Sequence, residues 1–150
     1  MKILRVYVDA SVIGGCFDSE FETESRALMK MADEGEIILI VSSLLLEELD
    51  NAPARVKDML GSLSNGAVEY VETSSEAEHL HELYLQAGVV GGSAADDARH
   101  VATASVVMAD VIVSWNFRHI VHFDKIKAYN SVNLREGYPV ISIYSPKEMV

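Results

Sequence analysis

Short apolar runs recurring between helix-like segments leave this chain few folds to choose from. Leu4-Arg-Val-Tyr-Val-Asp9, Ile37-Ile-Leu-Ile-Val41 and Asp110-Val-Ile-Val-Ser-Trp-Asn116 are brief and almost entirely apolar. That is the pattern of strands covered on both faces, which occurs where helices flank a parallel sheet. The spacing predicts strands at 3–9, 36–41, 67–72, 110–115 and 139–143. Helices are predicted at 19–33, 43–61, 74–87, 94–108 and 117–130. Such alternation predicts an α/β fold, a three-layer α/β/α sandwich with a mainly parallel central sheet. Gly14-Gly15, Asn65-Gly66 and Gly91-Gly92 read as turns or loops. With 49 % of its 150 residues hydrophobic, residues 1–150 can bury a core as a single domain.

The stretch from Ser93 to Asn116 runs from a helix straight into one of these strands. At about 100° per residue, Asp97, Val101, Ala104 and Met108 share one stripe, so Asp97 begins the inward face. Its neighbour Asp96 has a different explanation, because Ser93-x-x-Asp96 matches a capping box. The strand that follows ends on the polar Asn116. Open α/β sheets place their chemistry at the carboxyl ends of parallel strands, which directs attention to other polar residues in that position. Asp9 ends the first strand, with Ser11 placed to support it, and the helix after the second strand carries Glu47 and Glu48. On that helix Leu44, Leu45 and Leu49 define the buried arc, in which Glu48 falls and Glu47 does not.

Each of these residues alone has a structural explanation. Asp9 can cap a turn, Glu48 can sit at an exposed edge, Asp97 suits a helix dipole, and Asn116 can cap the next helix. Together, three inward carboxylates and an amide at the ends of four elements describe an all-oxygen site suited to Mg²⁺ or Mn²⁺.

A net charge of −11 opposes the broad basic face of most nucleic-acid binders, although bound cations would neutralise part of it. Local basic candidates for phosphate contact are Arg118, His119, His122, Lys125 and Lys127, whose simpler reading is a solvated helix face. Arg99 and His100 flank Asp97, and His100 reads as a packing residue. The single cysteine, Cys16, reads as packing and excludes a disulfide framework. The charged start Met1-Lys-Ile-Leu-Arg5 is unlike a signal peptide, and no apolar run approaches the roughly 20 residues of a membrane helix. These features predict a cytoplasmic protein with no membrane segment. Dinucleotide and P-loop glycine motifs are missing. So are the acidic pair and late lysine of receiver-like or dehalogenase-like phosphoryl-transfer enzymes.

Five stretches resemble the PIN-domain nucleases, in particular the VapC-like toxin ribonucleases of toxin–antitoxin pairs. They are Tyr7-Val-Asp-Ala-Ser-Val-Ile-Gly-Gly15, Ser42-Ser-Leu-Leu-Leu-Glu-Glu-Leu49, Asp97-Ala-Arg-His-Val-Ala-Thr-Ala104, Val113-Ser-Trp-Asn-Phe-Arg-His-Ile120 and Tyr138-Pro-Val-Ile-Ser-Ile-Tyr-Ser-Pro146. The resemblance implies that Asp9, Glu48 and Asp97 are the metal-binding and catalytic carboxylates, with Asn116 in the fourth position. It implies one or two Mg²⁺ or Mn²⁺ ions, an RNA substrate cut to 5′-phosphate and 3′-hydroxyl ends, a homodimer and a cognate antitoxin. Asn116 replaces the Asp found in many relatives and removes one negative charge, and Ala10 stands where relatives often carry Thr. The alternative is a catalytically weak PIN-fold scaffold that binds RNA or protein.

Overall fold

The computed structural model describes residues 2–150. In chain order the elements are β1 (Leu4–Val8), α1 (Ala10–Gly15), α2 (Glu22–Asp33), β2 (Ile37–Ser42), α3 (Ser43–Leu49), α4 (Ala54–Gly61) and β3 (Val68–Val71). They continue with α5 (Ser75–Gln86), a 3₁₀ turn (Gly92–Ala94), α6 (Ala95–Val106), β4 (Val111–Val113), α7 (Phe123–Arg135), β5 (Ser142–Tyr144) and α8 (Pro146–Met149). The five strands form one sheet in the order β3-β2-β1-β4-β5, and every pairing is parallel. The α/β sandwich expected from the strand and helix alternation is therefore present.

Alternation along each strand divides the core into two layers. Val6, Val8, Leu39, Val41, Val111 and Val113 face one side, where α1, α2, α3 and α4 supply Ile13, Leu28, Leu45 and Val56. Tyr7, Ile40, Ile112 and Ile143 face the other, against Leu80 and Tyr84 of α5, Val101 of α6 and Tyr129 of α7. That second layer also holds a polar tie: the Tyr84 hydroxyl donates to Asn133 Oδ1 at 2.5 Å, and Asn133 Nδ2 donates to Ser105 Oγ at 2.9 Å. Each buried polar atom in that set has a partner, so the three helices are registered without an unpaired group.

Several boundaries differ from the sequence expectation, each for a local reason. The single helix expected at 43–61 is two, α3 and α4, because Pro53 lacks an N–H and disfavours helical backbone at Ala52. Gly14 and Gly15 do not form a loop but end α1, a helix not anticipated, capped by Asp9. The helix expected at 117–130 starts six residues later, after a single turn at 117–120. The strand expected at 139–143 is confined to Ser142–Tyr144, and α8 follows it with the capping box Ser145/Glu148, a pattern present in Ser145-Pro-Lys-Glu148. At Ser93 no capping box forms: α6 begins at Ala95, and Asp96 instead pairs with Arg99. Met108 leaves the Asp97 stripe because α6 has ended; its φ of 57° is left-handed, and the Arg5 guanidinium satisfies the carbonyls of Val107 and Met108.

Gly15 is where close approach dictates the residue. A Cβ there would lie 2.5 Å from Ser25 Oγ and 2.9 Å from Trp115 Nε1. Gly15→Ala is expected to cost about 1–3 kcal/mol by overpacking, read as a lower melting temperature in calorimetry; an unchanged transition would show that the Ser25–Trp115 contact yields freely.

Candidate active site

The sheet order places a topological switch point at β1 and β4, the two central strands from which the chain departs in opposite directions. Val8 pairs with Val113, so the next residues on each strand, Asp9 and Ser114, emerge side by side at the carboxyl end. Asp9 is only 6 % exposed. Its Oδ1 accepts from Ser11 N at 3.1 Å and Ser11 Oγ at 2.5 Å, and its Oδ2 accepts from Ser114 Oγ at 2.6 Å. The expected support from Ser11 is thus present. Ser114 is an additional site residue that sequence reading passed over, although it lies two places before Asn116 on the same strand end.

The loop after β4 is fixed by the same hydroxyls. Trp115 N donates to Ser11 Oγ at 3.0 Å and Asn116 N donates to Ser114 Oγ at 2.9 Å. Asn116 Oδ1 accepts from His119 N at 2.9 Å, capping the 117–120 turn and not a long helix. Asp97 lies in the first turn of α6, half-buried. Burial raises its pKa above the ordinary carboxylate value; the nearby Asn116 amide and the charge of His119 oppose the rise, and Asp9 adds to it. Asp9 and the backbone of Asn116 are therefore linked through Ser114 at the switch point, and Asp97 lies close enough for the Asp9 charge to act on it.

Glu48 reaches the region from α3 but is more exposed than the buried arc implied, with 36 % of its side chain accessible. Leu44, Leu45 and Leu49 are buried as expected. Its Oε1 accepts from His100 Nε2, and Oε2 carries no protein hydrogen bond among the described residues. His100 does pack, at 2 % exposure, yet it is also hydrogen-bonded at both ring nitrogens.

Among the described residues no group of three or more His, Cys, Asp or Glu is gathered as a metal site. The donor chemistry nevertheless fits a hard divalent cation: carboxylate and amide oxygens at Asp9, Asp97, Asn116 and Glu48, with a half-buried Asp97 whose ionisation is held back first by burial and in lesser part by Asp9.

The basic candidates are mostly occupied elsewhere. Lys125 Nζ donates to Val89 O at 2.6 Å, Lys127 Nζ lies 5.5 Å from the Phe123 ring centroid, and Arg118 and His122 are exposed. His119 acts on Asp97, as does His100, and Arg99 is paired with Glu78 and Asp96. Cys16 is buried in the core, as expected of a packing residue. No helix among the described residues is long and apolar enough to cross a membrane.

No family model and no curated protein matches the sequence. Solved structures do. A crystal structure of VapBC2 from Rickettsia felis, bound to a DNA fragment from its promoter, matches over 95 % of this chain and 98 % of that chain at 11 % identity, with a TM-score of 0.56. DNA-bound VapBC from Salmonella typhimurium matches over 96 % of this chain and 99 % of that chain at 17 % identity, with a TM-score of 0.60. An all-parallel sheet flanked by helices, matched along nearly its whole length by these structures, gives this chain the PIN-type α/β fold of VapC.

Proposed function

We propose that the chain is a divalent-metal-dependent endoribonuclease, the toxin of a toxin–antitoxin pair. What supports this reading is the link from Asp9 through Ser114 to the backbone of Asn116 at the β1/β4 switch point, beside a half-buried Asp97 whose pKa is raised first by burial and in part by Asp9. Asp9, Glu48, Asp97 and Asn116 would hold one or two Mg²⁺ or Mn²⁺ ions. A bound ion of this kind lowers the pKa of water and offsets charge on the leaving oxygen of an RNA phosphodiester. Ser11 and Ser114 hold the Asp9 carboxylate in one orientation, and the backbone N–H of His119 does the same for the Asn116 amide. The acidic chain leaves phosphate recognition to the metal and to His119, a basic side chain whose charge acts on Asp97.

A cognate antitoxin, a homodimer and a cytoplasmic location belong to the same proposal; the VapBC complexes support the first. A catalytically weak scaffold is favoured by a different observation, the engagement of Glu48 with His100 and the absence of a gathered three-ligand group among the described residues. Incubation of mixed-sequence RNA with Mn²⁺ separates the two. Cleavage by the wild type that stops with chelator and is lost in Asp97→Asn supports the nuclease. Equal background in both proteins overturns it in favour of the scaffold.

A further inference from the structure

A buried chain of hydrogen bonds runs from the sheet to Glu48. The Tyr7 hydroxyl, on β1, donates to Ser42 Oγ at 2.9 Å and is shared with His100 Nδ1 at 2.6 Å. Ser42 Oγ also accepts from Leu45 N at 3.1 Å, so the start of the Glu48 helix is tied to the same hydroxyl. The Tyr7 and His100 rings meet edge-on, with centroids 5.7 Å apart and planes inclined at 66°. The opposite ring nitrogen of His100, Nε2, donates to Glu48 Oε1.

Three elements thus converge on one carboxylate. Tyr7 and His100 are fully buried, whereas Glu48 is exposed on a seven-residue helix. A glutamate so placed has three freely turning side-chain bonds, and fixing them costs rotamer entropy. A buried N–H aimed at one oxygen holds the side chain in advance and leaves Oε2 open. Carboxylates that ligate metals are commonly oriented by such a partner, and losing it weakens metal binding by about 10–100-fold.

We propose that His100, held by Tyr7, is a positioning residue that presents Glu48 to the acidic pocket of Asp9 and Asp97. This rests on the metal-site reading above and adds residues that touch neither metal nor substrate. His100 acts through Glu48, so its removal matters only while Glu48 is present.

The test is the Mn²⁺ affinity of the chain without RNA, measured by electron paramagnetic resonance of free Mn²⁺. The variants are His100→Phe, His100→Gln, Glu48→Gln and Glu48→Gln with His100→Phe, each checked for a cooperative melt. His100→Phe is expected to weaken Mn²⁺ binding about 10-fold or more, while His100→Gln, which keeps a donor, recovers part of the loss. The double variant should bind no worse than Glu48→Gln alone, because coupled positions are not additive. Tyr7→Phe, which spares the His100 ring, should give a smaller loss in the same direction and covers the case in which His100→Phe does not fold. Wild-type affinity in both His100→Phe and Tyr7→Phe overturns the positioning role while leaving the metal site standing, as does an equal loss from His100→Phe with and without Glu48. A wild type that binds no Mn²⁺ overturns the metal reading itself, and the positioning role falls with it.

Discussion

Asp97→Asn is expected to abolish RNA cleavage while making the metal-free protein more stable at neutral pH. The two effects have one cause. Burial first, and then the charge of Asp9, raise the Asp97 pKa above its ordinary value, against the nearby Asn116 amide and the charges of His119 and His100. A group whose pKa is higher folded than unfolded stabilises the fold below its unfolded pKa, and that contribution is lost as pH rises through the folded value. At neutral pH the whole cost of the ionised Asp97 is therefore present. Asparagine keeps an oxygen for Asn116 and removes the charge, so its melting temperature in chelator should exceed that of wild type at pH 7. The gap should close below about pH 4, where an ordinary carboxyl is protonated.

Activity moves the other way, since a bound cation supplies several kcal/mol to the transition state. At about 1.4 kcal/mol per decade, loss of a charged ligand should lower cleavage by about 100-fold or more. Saturating Mn²⁺ should raise the melting temperature of wild type and much less that of the variant. A variant less stable than wild type at pH 7 in chelator would mean that Asp97 is a structural anchor and not a carboxylate held for a cation.

Trp115→Ala is expected to be the most damaging change in the core beneath the site. Trp115 is 6 % exposed, stacks on Phe21 at 4.3 Å between centroids, and meets Phe117 edge-on at 6.2 Å. Its indole N–H donates to Ser25 Oγ at 2.8 Å, a buried hydroxyl on α2. Truncating a buried aromatic of this size costs about 3–5 kcal/mol, and in a chain of this length each kcal/mol lowers the melting temperature by about 2–4 °C. Trp115→Phe keeps the stacking but leaves Ser25 without its donor, and should lose about 1–3 kcal/mol. Denaturant unfolding with both variants separates the ring from the hydrogen bond. A loss under about 1 kcal/mol for Trp115→Ala would contradict the close packing typical of native interiors.

The positions between which Trp115 lies, Ser114 and Asn116, show how far the sequence could be read. Strand identity was legible because an apolar run such as Val111–Val113 has one stable environment, a sheet covered on both faces. The parallel sheet, the burial of Leu44, Leu45 and Leu49, and the placing of Asp9 at a strand end followed from periodicity alone, whereas β4 stops at Val113 and Asn116 lies in the loop beyond it. Helix limits were less legible where they depend on one residue: Pro53 divides α3 from α4, and Asn116 caps a single turn at 117–120 that does not continue into α7.

What the sequence by itself determined is the alternation of elements and which faces are apolar, because both are written in nearest-neighbour spacing along the chain. Only the tertiary structure decided which polar atoms meet. Strand order places β4 beside β1, so Ser114, more than a hundred residues away in the chain, holds the Asp9 carboxylate, and the packing of α6 against the sheet brings His100 to Tyr7 and Glu48. A hydrogen bond is set by distance and direction between atoms, and linear spacing carries neither for residues on different elements.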